Sequence, residues 1–191
     1  MVTARNTRAD VVAAAGRLFA KRGYHGTSMR DLGRELGLLG SSLYAHVDSK
    51  QDLLVEVVED GARLFQESAR SALIVPGSAL DRLRALVTGH VDVVLSHQDV
   101  VRTYLNEARM LDDDHRARVI AARDSYEQAF REVIAHGVGD GSFRPDVDPK
   151  MSSIFILSVL NALERWHRPD GELDRDALAG LMARFVEAGL T

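Results

Sequence analysis

The 191-residue chain is 46% hydrophobic, carries a formal net charge of −4 and lacks cysteine. It has enough apolar material for a core in one or two domains, and it has neither disulfides nor thiol chemistry, as suits a reducing compartment. No apolar run approaches the ~20 residues of a membrane helix, and Arg5 and Arg8 precede no apolar signal segment, so a cytoplasmic protein with no membrane partner is expected.

In chain order, residues 8–22 read as a helix with one apolar stripe: Val11, Val12, Ala15, Leu18 and Phe19. Gly23 closes it and Tyr24 follows in the turn. Ser28 and Asp31 have the spacing of a capping box. Met29, Leu32 and Leu36 continue at helical spacing, and Gly37 ends that helix in the left-handed C-terminal position. A helix of about two turns then carries Ser41, Ser42, Leu43, Tyr44 and His46. Ser49 and Asp52 form another capping box, which opens a long helix reaching about Leu73. Two helices joined by a Gly-containing turn, the second short and polar on one face, make the helix-turn-helix pattern that enters the major groove. The charge distribution agrees. Residues 1–50 hold eight cations (Arg5, Arg8, Arg17, Lys21, Arg22, Arg30, Arg34, Lys50) against four acids (Asp10, Asp31, Glu35, Asp48), so this quarter is +4 and the remainder −8. A basic head on an acidic body suits a chain that meets a polyanion at one end.

The rest reads as helix. Pro76-Gly77 breaks the chain, and Ser78 caps a helix to about His97 with Leu80, Leu83, Val87, Val91, Val94 and Leu95 inward. A short helix runs from Gln98 to Met110. A long one runs from Asp112 to Val138, with Val119, Ile120, Tyr126, Phe130, Val133 and Ile134 on its apolar face. After Gly139–Gly141 and Pro145–Pro149 come helices at Lys150–Arg168 and Glu172–Ala188. The stretch Met151–Leu163 is apolar on several sides, so either the protein's own core or a partner subunit covers it. The partner is the simpler cover in so short a chain. His90, Asp92 and His97 do not share a helix face, and Gly137–Gly141 lacks the strand-loop-helix context of a dinucleotide site. Neither G-x-S-x-G nor H-E-x-x-H occurs, so no catalytic residue and no metal site are expected.

The head resembles the N-terminal pattern of TetR-family transcriptional regulators. The resemblance spans about 45 residues and is carried, in order and spacing, by Ala15, Leu18, Phe19, Gly23, Tyr24, Thr27, Ser28, Asp31, Leu32, Gly37, Leu43, Tyr44, His46, Ser49, Lys50 and Leu53. The chain departs from the family at Gly33 (usually Ala), Leu39 (commonly Ser), Ala45 (commonly larger and polar) and Val47 (usually Phe). The resemblance implies an all-α fold: a three-helix helix-turn-helix DNA-binding domain at 1–50, and a helical ligand-binding and dimerisation domain at 51–191. It implies a homodimer built on the last two helices, a palindromic double-stranded DNA operator, and a small-molecule effector in place of any cofactor. DNA contacts are expected from Arg5, Thr27, Ser28, Arg30, Gly40, Ser41, Ser42, Tyr44, His46 and Lys50. The reading helix contains no Lys or Arg, so bidentate Arg–guanine contacts cannot come from it.

Two further runs, residues 96–111 (SHQDVVRTYLNEARML) and 160–173 (LNALERWHRPDGEL), resemble the branch of that family that senses acyl-coenzyme A thioesters, as does Leu39 before the reading helix. Such a ligand needs an apolar slot and cations for its phosphates. Leu64, Phe65, Ser68, Tyr104, Leu105 and Trp166 are the candidates for the slot, and Arg102, Arg109 and Arg165, with Arg168 beside them, for the phosphates. Arg102 and Arg109 also have Glu107 and Asp112 nearby as pairing partners, and Trp166 is equally suited to a core or an interface. The rival within the class is a TetR-type repressor of efflux genes released by lipophilic drugs. The rival outside it is a small thioester-processing enzyme.

Overall fold

The structure, a computed structural model, describes residues 7–38, 43–45, 47–168 and 170–191. Among the described residues there are nine α-helices and no strand: α1 (Arg8–Arg22), α2 (Met29–Leu36), α3 (Lys50–Leu73), α4 (Ala79–Ser96), α5 (Gln98–Asn106), α6 (Asp113–Gly139), α7 (Pro149–Asn161), α8 (Leu163–Trp166) and α9 (Arg175–Leu190). A 3-10 turn spans Ala108–Met110.

The helices begin where side chains satisfy their first N–H groups. Ser28 and Asp31 form the expected capping box, and Thr7 with Asp10 and Ser78 with Asp81 repeat it. Ser49 accepts from the Asp52 backbone and donates to its carboxylate at the head of α3. The Ser28 hydroxyl and backbone hold the Asp31 carboxyl below the usual carboxylate range. Asp148 and Asp174 cap α7 and α9, which moves those starts from the expected 150 and 172 to Pro149 and Arg175. Gly23 and Gly37 stop α1 and α2 at φ 74° and 65°, which side chains with a Cβ rarely adopt. Two expected helices are interrupted. The segment from Gln98 tightens after Asn106 into i−3 bonds (Met110 N–H to Glu107 O, Leu111 N–H to Ala108 O), and Lys150–Arg168 divides at Ala162, whose N–H bonds to Val159 O.

The helices group into two compact units, Met1–Ala62 with Asp99–Val119 and Arg63–Gln98 with Ile120–Thr191. In the first, Val11, Ala15, Leu18, Phe19, Leu32, Leu43, Val47, Leu53, Leu54 and Val101 are buried. In the second, α9 lies along α4, clamped by Arg84–Glu187 (2.7 Å) and Arg175–Asp92 (2.7 Å). Leu83, Leu86, Val87, Val91, Phe130, Ile134, Leu160, Leu178, Met182 and Val186 are buried there. Ile120, expected inward, is exposed, since it stands a helical step of 100° from buried Val119. On α7 only Ser153, Ile156 and Leu160 are buried. Phe155, Val159, Leu181 and Phe185 remain exposed, and Phe155, Val159 and Phe185 line one apolar groove between α7 and α9.

Candidate DNA-binding head and effector-binding body

The turn after α1 is the mechanical centre of the head. Gly23 N–H closes α1 onto Phe19 O, and the next N–H, that of Tyr24, donates to the Glu107 carboxylate at 3.0 Å. The Tyr24 hydroxyl donates to Gln51 Oε1, and Gln51 Nε2 donates to Met110 O. Lys50 Nζ donates to Tyr24 O and Thr27 O, each at 2.9 Å, and sits 4.1 Å from the Tyr24 ring centroid. Thr27 Oγ1 donates to Gly23 O and Leu18 O. Residues 107–110 and the start of α3 are thus bolted to one turn of the head. Burial, and secondarily the Asp52 charge, push the Tyr24 phenol up, so it stays a neutral donor.

This network changes the standing of two expected DNA contacts. Thr27 is 1% exposed, so its side chain is a strut inside the head. Lys50 is half-buried and spends two of its three N–H donors on carbonyls, leaving one for a phosphate. Ser28 is exposed, but its hydroxyl is engaged by the Asp31 box. Arg30 is exposed, with no ion pair among the described residues, whereas Arg17, Arg22 and Arg34 lie 3.6–3.7 Å from Glu35 or Asp31. Leu43 is buried and Val47 N–H bonds to Leu43 O, a helical i−4 bond that leaves Tyr44 55% exposed. Arg5, Gly40, Ser41, Ser42 and His46 lie outside the described residues, as does Leu39. The departure at Gly33 has a steric reason, since a Cβ there would meet Leu38 O at 3.0 Å.

The effector candidates divide between the units. In the first, Tyr104 is buried, Leu105 half-buried, and Arg102 and Arg109 are exposed. Glu107 accepts from Tyr24 N–H, and Asp112 meets the His115 ring. In the second, Phe65 is buried, Leu64 and Ser68 are half-buried, and Arg165 and Trp166 are exposed, so Trp166 is not a core residue of this chain. Phe65 packs against two residues absent from the expected set, His90 and Tyr126, at ring-centroid distances of 4.8 and 5.3 Å. His90 had a legible signal, because it shares the inward stripe of Leu83, Val87 and Val94 on α4. Asp92 turns outward to Arg175, and His97 ends α4. Glu107 had no signal, since its partner is 83 residues away. No helix among the described residues is long and apolar enough to cross a membrane.

Comparison with known proteins accounts for both ends of this arrangement. Residues 11–57 match the bacterial regulatory proteins of the tetR family, and residues 76–190 match the tetracyclin repressor-like C-terminal domain. The chain belongs to the TetR family. It is therefore a DNA-binding transcriptional regulator and not an enzyme, and it works on operator DNA as a homodimer with a small-molecule effector. Among TetR-family relatives, the HTH-type transcriptional repressor KstR2 of Rhodococcus jostii is 29% identical over 188 residues, covering 96% of this chain and 90% of the relative. The structure of the ketosteroid transcriptional regulator KstR2 of Mycobacterium tuberculosis superposes with a TM-score of 0.92 at 26% identity, covering 100% of this chain and 97% of that one. The crystal structure of AibR in complex with isovaleryl coenzyme A and operator DNA superposes at 0.84 with 27% identity, covering 93% and 96%.

Proposed function

We propose that this TetR-family chain is a cytoplasmic repressor that an acyl-CoA thioester releases from a palindromic operator. The observation that carries this reading is the likeness, along 93% of the chain, to AibR bound to both isovaleryl coenzyme A and operator DNA. Exposed Arg102, Arg109 and Arg165 support it, as a guanidinium grips phosphate bidentately. In this reading residues 1–50 form the DNA-reading domain, and residues 51–191 bind the effector and dimerise. Arg30, Tyr44, Lys50, Arg5 and the 40–46 segment hold DNA. The acyl-group candidates are Leu64, Phe65, Ser68 and Trp166 in the second unit and, separately, Tyr104 and Leu105 in the first. The exposed apolar faces of α7 and α9 form the dimer seam.

Taking an operator from almost fully occupied to almost free requires about 5.5 kcal/mol of preference for the released form. The test is an operator-release assay with acyl-CoAs of graded chain length, free CoA and lipophilic drugs. An acyl-CoA, but not CoA, releases the DNA at micromolar concentration. Trp166→Ala and Arg109→Ala each leave DNA binding intact and blunt release. Release by drugs and by no thioester would replace this reading with the efflux-repressor one.

A further inference from the structure

His90 of α4 is 1% exposed inside the second unit. Phe65 of α3 lies on one side of its ring, Tyr126 of α6 lies 5.8 Å away, and Phe130 stacks edge-on behind Tyr126. The Nδ1 atom is 3.1 Å from the Tyr126 hydroxyl. No group among the described residues is within hydrogen-bond distance of Nε2, which is sealed from solvent. Burial pushes the imidazole down to about 3, so the ring is neutral at physiological pH. A phenol is the stronger donor of the pair and a neutral imidazole nitrogen the stronger acceptor, so the Tyr126 O–H donates to Nδ1 and Nε2 carries the proton. The result is a buried N–H donor with no acceptor in an aromatic wall. A buried donor left unmatched is costly, and it calls for a group that matches it.

We propose that the His90 Nε2–H is the anchor for a neutral carbonyl oxygen carried by an apolar ligand, the acyl part of the effector. The proposal rests on the effector reading above and narrows it. A carboxylate is disfavoured, because a neutral imidazole brings no charge to offset its desolvation. A plain hydrocarbon is disfavoured, because it leaves Nε2–H unmatched. The class that fits is an apolar body bearing a ketone, or the thioester carbonyl itself.

The same geometry couples the anchor to α3. Phe65 covers the His90 ring from α3, and Ser68, one turn on, sits so close to α4 that a Cβ on Gly89 would stand 2.4 Å from its Oγ. A ligand that reaches Nε2 must therefore part Phe65 and the C-terminal half of α3 from α4. The carbonyl hydrogen bond exists only in the parted form, so the ligand binds that form better than the closed one. Such a difference in affinity is what a ligand-driven change requires.

The test uses the full-length protein labelled with ¹⁵N-histidine and three probes of one shape: cyclohexanone, methylenecyclohexane and cyclohexanecarboxylate. The free protein should show His90 protonated on Nε2. Cyclohexanone should shift the Nε2–H signal saturably and bind about tenfold or more tighter than methylenecyclohexane, the factor that one matched hydrogen bond supplies. The carboxylate should leave the signal unmoved. His90→Gln, which keeps an N–H donor near the Nε2 position, should retain the preference for the ketone, and His90→Leu should lose it. An Nδ1-protonated ring, equal binding of ketone and alkene, or no shift with any probe overturns the proposal, the last assigning Nε2 to a structural water. Failure of the two readings is distinguishable. If acyl-CoA releases DNA equally well from His90→Leu, the anchor fails and the effector reading stands. If cyclohexanone engages Nε2 but no thioester releases DNA, the effector reading fails and the anchor stands.

Discussion

Replacing Glu107 with Ala tests whether the turn at Tyr24 is held by a contact from outside the head. Tyr24 N–H directly follows the residue that closes α1, and the Glu107 carboxylate, 3.0 Å away and partly buried, accepts it. A hydrogen bond to a charged group contributes about 1.5–3 kcal/mol, and leaving its buried partner unmatched costs a similar amount. The Glu107 side chain is only half-buried, so its apolar loss is small beside the hydrogen bond. An overall loss of about 2 kcal/mol is expected. For a chain of this size that corresponds to a fall in Tm of about 4–8 °C, read by far-UV circular dichroism. Glu107→Gln keeps an amide oxygen at the same reach and should lose about half as much. Lys50 and Thr27 lean on the same turn, so Glu107→Ala should also weaken binding to specific and random DNA alike. Two results would refute the reasoning. Melting of Glu107→Ala with the parent would mean the bond contributes nothing. Equal loss in Glu107→Gln would mean that charge or packing matters and the acceptor does not.

Lys50→Met keeps the stem over Tyr24 but removes the donors to Tyr24 O and Thr27 O. It should cost about 1–3 kcal/mol in urea unfolding and lower the salt slope of DNA binding by about one unit. An unchanged slope shows that the ammonium serves the turn alone. Phe155→Glu and Phe185→Glu place carboxylates on the exposed faces of α7 and α9. Each should weaken the dimer about 30-fold or more in sedimentation equilibrium, as for a central anchor residue, and a dimer that tolerates both puts the seam elsewhere. His90 sets a pH dependence. Its folded value of about 3 lies below its ordinary 6.5, so the unfolded chain takes up the proton first. Its contribution is full above the unfolded value and is lost as pH falls from about 6.5 toward 3, at about 1.4 kcal/mol per pH unit. Urea stabilities of the parent and His90→Gln should diverge in slope by that amount between about pH 6 and pH 5, and parallel profiles would show that His90 is protonated in the folded state.

Local rules made much of this protein legible without coordinates. Capping-box spacing at Ser28–Asp31 and Ser49–Asp52, the stops at Gly23 and Gly37 and the apolar stripe of α1 depend on residues within one helical turn of each other, so order along the chain determines them. The family pattern of the head is likewise written in consecutive residues. The apolarity of α7 on several sides called for a cover, and Phe155 and Val159 on it are exposed in the single chain. Tertiary structure alone decided which polar groups became partners. Thr27 and Lys50 look like surface contacts in a linear reading, but folding brings backbone carbonyls within reach, and an unmatched buried carbonyl is costly enough to claim them. Glu107 has plausible cationic neighbours in sequence, but its partner is an N–H 83 residues away that the end of α1 leaves open. His90 shows the division most plainly. Helical periodicity places it on the buried stripe, but only the arrival of Phe65 and Tyr126 from other helices desolvates its ring, engages one nitrogen and leaves the other without a match among the described residues. Periodicity assigns a residue to a face, whereas the partner on that face is set by helices that meet only on folding.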